Sequence, residues 1–227
     1  MTQFISTALP GFALGVRHAT DPDHVVAVTT IVSRERRVGR AGGIGILWGV
    51  GHTVTILLVG GAILLFDVVI SPRLGLAMEL SVAMMLVVLG MLSLARMVEL
   101  VAPLAPVATG TGWFDVGHQS LRPVAIGVVH GLAGSAAVTL LVLATVRDPM
   151  WGVVYLAVFG IGTIAGMMLI TLAISVPFAL TSRRLLRFNR SLGFASALSS
   201  LVFGAFLIYQ IGFVDGLFTS YPHWTPR

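Results

Sequence analysis

The sequence predicts an all-α integral membrane protein with six transmembrane helices arranged as a 3+3 inverted repeat. Three observations carry this expectation. The 227 residues are 56% hydrophobic and only 10% charged, with a mean hydropathy of +0.97, well beyond ordinary soluble domains. Six apolar stretches reach the ~20 residues needed to cross the hydrocarbon of a bilayer. Short patterns in the first half recur in the second at a nearly constant offset.

In chain order the spans are expected near Phe4 to Val32, Gly42 to Phe66, Leu74 to Ala95, Val124 to Val146, Met150 to Leu180 and Leu192 to Phe213. The first and fifth exceed a straight crossing, which implies tilt or a break, and Pro22 and Pro177 are the expected break points. Met1 to Leu9 lacks the positive n-region of a cleavable signal, so the first helix is expected to be retained. No long polar stretch offers a soluble unit. The whole chain, 1–227, therefore reads as one transmembrane domain: 1–99 as a first three-helix repeat, 100–121 as a cytoplasmic linker rich in Pro and Gly, and 122–227 as a second three-helix repeat with an external tail.

Charge placement orients the spans. The net charge of +5 arises from arginine alone, since lysine is absent. Arg34, Arg36, Arg37 and Arg40 fall in the first loop, Arg183, Arg184, Arg187 and Arg190 in the fifth, and Arg96 and Arg122 flank the third. The opposite side holds only Arg73, Arg147 and Arg227. The positive-inside rule then places both termini outside the cytoplasmic membrane. These clusters form no continuous basic face, which argues for lipid and against nucleic acid as the surroundings. Absence of cysteine excludes disulfides, thiolate metal ligands and thiol redox chemistry.

The repeat is visible in two alignments. Gly15-Val16-Arg17-His18-Ala19 matches Gly127-Val128-Val129-His130-Gly131, and Gly49-Val50-Gly51-His52-Thr53 matches Gly160-Ile161-Gly162-Thr163-Ile164. Three spans per half force the second copy to lie inverted, a recurrent transporter design with its site near the midplane on interrupted helices. Pairs of small residues four apart, Gly11 and Gly15, Gly45 and Gly49, Gly127 and Gly131, Gly162 and Gly166, are expected at close helix contacts.

Chemistry concentrates in Arg17-His18-Ala19-Thr20-Asp21-Pro22-Asp23-His24, where ionisable groups interrupt an apolar span. Such groups are costly in a bilayer and mark transport paths, relays or ligand sites. In a straight helix His24 would lie ~9 Å further along than His18, too far to share an ion easily. Pro22 favours a break that would fold Asp23 and His24 back towards His18 and free a carbonyl as a further ligand. His52, flanked by Gly51 and near Gly49, is the natural partner from the second span. The expected metal set is His18, Asp21, Asp23, His24 and His52, with Arg17, His130 and Thr163 as possible lining. His130 has no acid in its own segment, and packing is as good an account of it as ligation. Imidazole with carboxylate suits Ni²⁺, Co²⁺, Zn²⁺ or Mn²⁺, whereas Mg²⁺ and Ca²⁺ prefer oxygen and Cu⁺ prefers sulfur.

The opening stretch resembles the RHAxDxDH signature, containing H-x4-D-H, of the nickel/cobalt transporter family, and Gly51-His52-Thr53 is similar to that family's Gly-His-Ser motif. His130-Gly131-Leu132-Ala133-Gly134-Ser135-Ala136 and Gly162-Thr163-Ile164-Ala165-Gly166-Met167 look more like its short, six-span urease-accessory-type (UreH-like) branch. The longer members have eight spans and acid-bearing motifs in later helices, which this chain lacks. The resemblance implies passage of Ni²⁺ or Co²⁺ across the cytoplasmic membrane, with His18, Asp23 and His24 indispensable. The ion would be cargo, with no permanent cofactor and no enzymatic activity. No phosphate-binding Gly-Lys motif is present, so secondary transport is expected, and the sequence names no protein partner. Other readings are an accessory membrane protein for metalloenzyme maturation, an exporter of another metal or small solute, and an intramembrane metallohydrolase or a hydrolase using Ser135.

Overall fold

The computed structural model describes residues 2–33, 35, 37–66, 68–99, 121–145, 148–184 and 186–224. Arg34, Arg36, His118, Arg147 and all of the expected linker except Leu121 lie outside the described residues. Among the described residues all regular structure is helical: α1 (Thr2–His18), α2 (Pro22–Val32), α3 (Val38–Phe66), α4 (Pro72–Glu99), α5 (Leu121–Thr145), α6 (Pro149–Arg184), α7 (Leu186–Tyr209) and a π-helical turn (Gln210–Val214). Four stretches, Val38–Phe66, Pro72–Met97, Pro149–Leu180 and Arg187–Val214, are long and apolar enough to cross a membrane. The chain is a helical membrane protein. Large apolar side chains face outward on the long helices, among them Leu58, Met84, Ile161, Leu169 and Phe206.

The first expected span is two helices, broken between His18 and Pro22. Pro177 does not act likewise, because α6 runs through it to Arg184. Proline is tolerated inside a spanning helix when neighbouring groups re-satisfy the freed backbone. At Pro22 the outcome differs because this proline stands at the first position of α2, where no N–H is needed.

Helix α3 is the axis of the packing, with α6 and α5 laid along it, α1 on the other side of α6, and α4 paired with α7. Glycine makes these approaches possible. A side-chain methyl at Gly15 would overlap the Phe159 carbonyl oxygen, and one at Gly162 would overlap that of Phe12, which fixes the α1–α6 crossing. At the α3–α5 crossing the same happens between Gly51 and the Val124 carbonyl and between Gly127 and the Trp48 carbonyl. Lipid supplies no hydrophobic drive between helices, so close backbone contact and interhelical hydrogen bonds carry the association. Thr53 Oγ1 donates to Gly160 O at 3.1 Å, Thr55 Oγ1 to Val128 O at 3.2 Å and Ser200 Oγ to Leu86 O at 2.8 Å. The short α2 is tied in by Thr30 Oγ1 donating to Ser196 O at 3.2 Å.

Overpacking a close contact costs about 1–3 kcal/mol. Gly51→Val should therefore lower the thermal stability of the detergent-solubilised protein by an amount in that range. Gly39→Ala, where an added methyl meets nothing within 4 Å, should leave it unchanged. Scanning fluorimetry of the two variants checks the difference.

Candidate metal centre

The turn joining α1 to α2 builds the centre. Thr20 N donates to Arg17 O at 2.8 Å and Asp21 N to His18 O at 3.1 Å, so the chain tightens after His18 and leaves the helix. Asp21 is extended (φ −60°, ψ 146°), as a residue before proline must be, and α2 starts afresh at Pro22. The imidazoles of His18 and His24 thereby come within 4.8 Å, centroid to centroid. The His18 carbonyl accepts from Asp21 N, so a tight turn brings the two side chains together.

Two more imidazoles join from α3 and α5. His52 Nε2 lies 3.2 Å from His18 Nε2, and the His130 ring centroid is 4.1 Å from that of His24. Gly134 on α5 faces the same rings, with a methyl there standing in ordinary contact at 3.4 Å from His18 Nε2. His24, His52 and His130 are buried, and His24 stacks on Trp48 at 5.7 Å.

The carboxylates orient these rings. Asp23 Oδ1 accepts from the His24 backbone N–H at 2.9 Å and faces His24 Nδ1 at 3.1 Å, while Oδ2 faces His130 Nε2 at 2.9 Å. Asp21 Oδ2 lies 2.7 Å from His18 Nδ1. An ionised carboxylate only accepts, so each ring nitrogen facing one carries the proton and donates. The lone pairs then sit on the opposite nitrogens, Nε2 of His18 and His24 and Nδ1 of His130. This is the carboxylate–imidazole arrangement that orients and strengthens metal-binding histidines.

His24 Nε2, His52 Nδ1 and His130 Nδ1 are buried with no hydrogen-bond partner in the structure. Orphaned polar atoms of this kind are ordinarily satisfied by a water, a ligand or an ion. Two sets could supply one, His18 with His24 and His52, and Asp23 with His24 and His130, each with ligand atoms within 4.8 Å of one another. Bonds of about 2.0–2.1 Å to imidazole place neighbouring ligands roughly 3.0–3.4 Å apart. The His18–His52 pair already has that spacing at 3.2 Å, and the ligand atom of His24 lies within 4.8 Å of both.

A cavity of about 340 Å³ gives access to this centre, lined among others by His18, Asp21, Asp23, His24, Glu79 and His130. Asp21 lines it with its side chain 46% exposed, against 29% for Asp23. Two expected lining residues are elsewhere. Arg17 is exposed, and its carbonyl accepts from Thr20; Thr163 is buried, donates to Phe159 O at 3.0 Å and does not line the cavity. Glu79 also lines the cavity, and its place as the one charged residue between Leu74 and Ala95 is the sequence signal for it.

Fold and site together define a polytopic helical membrane protein with a buried imidazole–carboxylate centre open to a cavity. The chain is 37% identical over 212 residues to the urease accessory protein UreH of Bacillus sp. (strain TB-90), covering 92% of both chains. It belongs to the UreH family. It is also 27% identical over 218 residues to the chloroplast protein FOR GROWTH AND FERTILITY 2 of Arabidopsis thaliana, spanning 57% of that longer chain, and 25% identical over 181 residues to FOR GROWTH AND FERTILITY 1, spanning 48%. No family model and no solved structure matches the chain.

Asp23→Asn keeps the shape of the orienting side chain and removes its charge. Loss of such an orienting group typically costs 10–100-fold in metal affinity. Calorimetric titration of the purified variant with Ni²⁺ should show a loss of about that size.

Proposed function

We propose that the protein is a secondary transporter that moves a divalent transition-metal cation, Ni²⁺ or Co²⁺, across the cytoplasmic membrane through the centre on its broken first span. The observation that carries this reading is the convergence of His18, His24, His52 and His130 with Asp23 in one intramembrane cluster, with buried ring nitrogens lacking partners. The donor set is imidazole-rich, the preference of nickel and cobalt rather than magnesium or calcium. The resemblance of Arg17 to His24 to the nickel/cobalt transporter signature supports the same cargo, and the name of the UreH relative, a urease accessory protein, is in keeping with it.

The proposed frame is a 3+3 inverted repeat with both termini outside. Two pairs of contacts support it. Gly15 meets Phe159 and Gly127 meets Trp48; Gly162 meets Phe12 and Gly51 meets Val124. Under the alignment of the halves each contact maps onto its counterpart, so the α1–α6 and α5–α3 crossings are equivalent. Rocking one half against the other about α3 and α6 would expose the centre to each side in turn. Carboxylates compensate the cation's charge as it sheds water, and imidazoles select it. A divalent ion entering a negative interior gains ~4.6 kcal/mol per 100 mV, twice the value for one charge, so uptake needs no nucleotide.

The accessory name of the relative favours a second reading, in which the protein binds metal and hands it to an enzyme-maturation system without net flux. Proteoliposomes separate the two. Transport predicts Ni²⁺ or Co²⁺ accumulation, reduced to the protein-free background by His18→Ala and by His24→Ala at equal protein incorporation. Undiminished flux in both variants would sink the proposal, and binding without flux in the parent selects the accessory reading. Pro22→Ala should straighten the first span and lower flux severalfold although every ligand side chain remains.

A further inference from the structure

The two ligand sets of the centre share one residue, His24, and differ in their depth. Asp23, His24 and His130 all line the cavity. In the other set His52 is fully buried and does not line it, so His18, His24 and His52 converge deeper in the helix packing.

Spacing suits an ion in both places. Neighbouring ligands of one ion stand roughly 3.0–3.4 Å apart. In the deeper set His18 Nε2 and His52 Nε2 are 3.2 Å apart. In the outer set Asp23 Oδ1 is 3.1 Å from His24 Nδ1, and Oδ2 is 2.9 Å from His130 Nε2. Each set offers three protein ligands, which leaves a fourth place for water.

His24 cannot complete both sets at once. Asp23 stands at its Nδ1 edge, and Nε2, buried and partnerless, is the nitrogen left for the deeper set. The lone-pair directions of the two nitrogens diverge, so no single ion takes both. A neutral imidazole has one N–H and one bare nitrogen. While Nδ1–H donates to Asp23, Nε2 can bind; when an ion occupies Nδ1 the proton sits on Nε2, and the deeper set lacks its third ligand. Two dications held side by side would also repel strongly in low-dielectric surroundings.

We propose that the centre is a two-position relay, in which an ion arriving through the cavity is taken first by Asp23, His24 and His130 and is then passed by His24 to the all-imidazole set of His18, His24 and His52. As the ion leaves Nδ1 for Nε2, the ring proton moves the opposite way, so no proton is gained or lost in the step. The relay rests on the transport reading above, whereas the two positions are measured by binding, which needs no flux.

The test titrates the full chain in detergent with Co²⁺, whose visible absorption reports its ligand set, and counts bound metal. The parent, His52→Ala and His130→Ala should each hold about one Co²⁺ per chain, because His24 completes one set at a time. The spectra of the two variants should differ, with three nitrogens around the ion in His130→Ala and a carboxylate among its ligands in His52→Ala. The double variant should lose binding. In proteoliposomes both single variants should lose Ni²⁺ flux although they bind. Loss of binding in either single variant, identical spectra in the two, two Co²⁺ in the parent, or retained flux in either variant overturns the relay. If an Ala variant fails to reach the membrane, Leu at the same position, which fills the space without a donor, decides by the same criteria. Flux in the parent with only one position found removes the relay and leaves transport; two positions in a parent without flux remove transport and leave the paired sites.

Discussion

The three-residue turn Ala19-Thr20-Asp21 lets two imidazoles six positions apart address one point. In an unbroken helix His18 and His24 would be separated by ~9 Å along the axis and would face directions ~120° apart. The turn removes both obstacles. Proline imposes it: Pro22 disfavours a helical Asp21, which becomes extended, and Pro22 then begins the next helix without needing a donor. Asp23 falls in the first turn of α2, where the helix dipole favours negative charge. One local constraint therefore sets the ring positions and also places the carboxylate that orients two of them.

The remaining two imidazoles depend on how closely helices approach. His52 and His130 stand on α3 and α5, and these helices touch through Gly51, Gly127 and Gly131 at backbone distance. A bulkier residue at any of the three would push α5 outward and carry His130 away from Asp23. In a bilayer this matters more than in water, because an acid separated from its imidazole partners has no solvent to turn to. Packing and electrostatics are coupled here through the same few contacts.

The polar cavity lies between the two kinds of helix pairing. One wall is the α1–α2 turn with α5, and the other is α4 with α7 and the π-helical turn. Phe203, Leu207 and Ile211 line it beside Glu79, so the acids and imidazoles face an otherwise apolar chamber. Low dielectric surroundings strengthen attraction between a cation and these acids. They also make an uncompensated acid expensive, which accounts for the indole and imidazole partners that Glu79 and Asp23 retain.

Composition and hydropathy were enough to determine a helical membrane protein, because a chain this apolar can satisfy its backbone in lipid only through helices or a closed barrel. The cluster from Arg17 to His24 was legible for the same reason, since ionisable groups stand out where every neighbour is apolar. Pro22 was legible as a break, and the structure closes that break with a turn in which Asp21 N donates to His18 O. Other features were not decidable locally. Pro177 has the same chemistry as Pro22 yet sits within a continuous helix, and Thr163 aligns with His52 yet spends its hydroxyl on Phe159. The pairing of His130 with Asp23 joins residues 107 positions apart, and Glu79 reaches the cavity only because α4 packs beside α2. Sequence determined which groups cannot rest in lipid unpartnered. Tertiary structure decided which partner each one found, because that depends on helix crossings set by distant glycines.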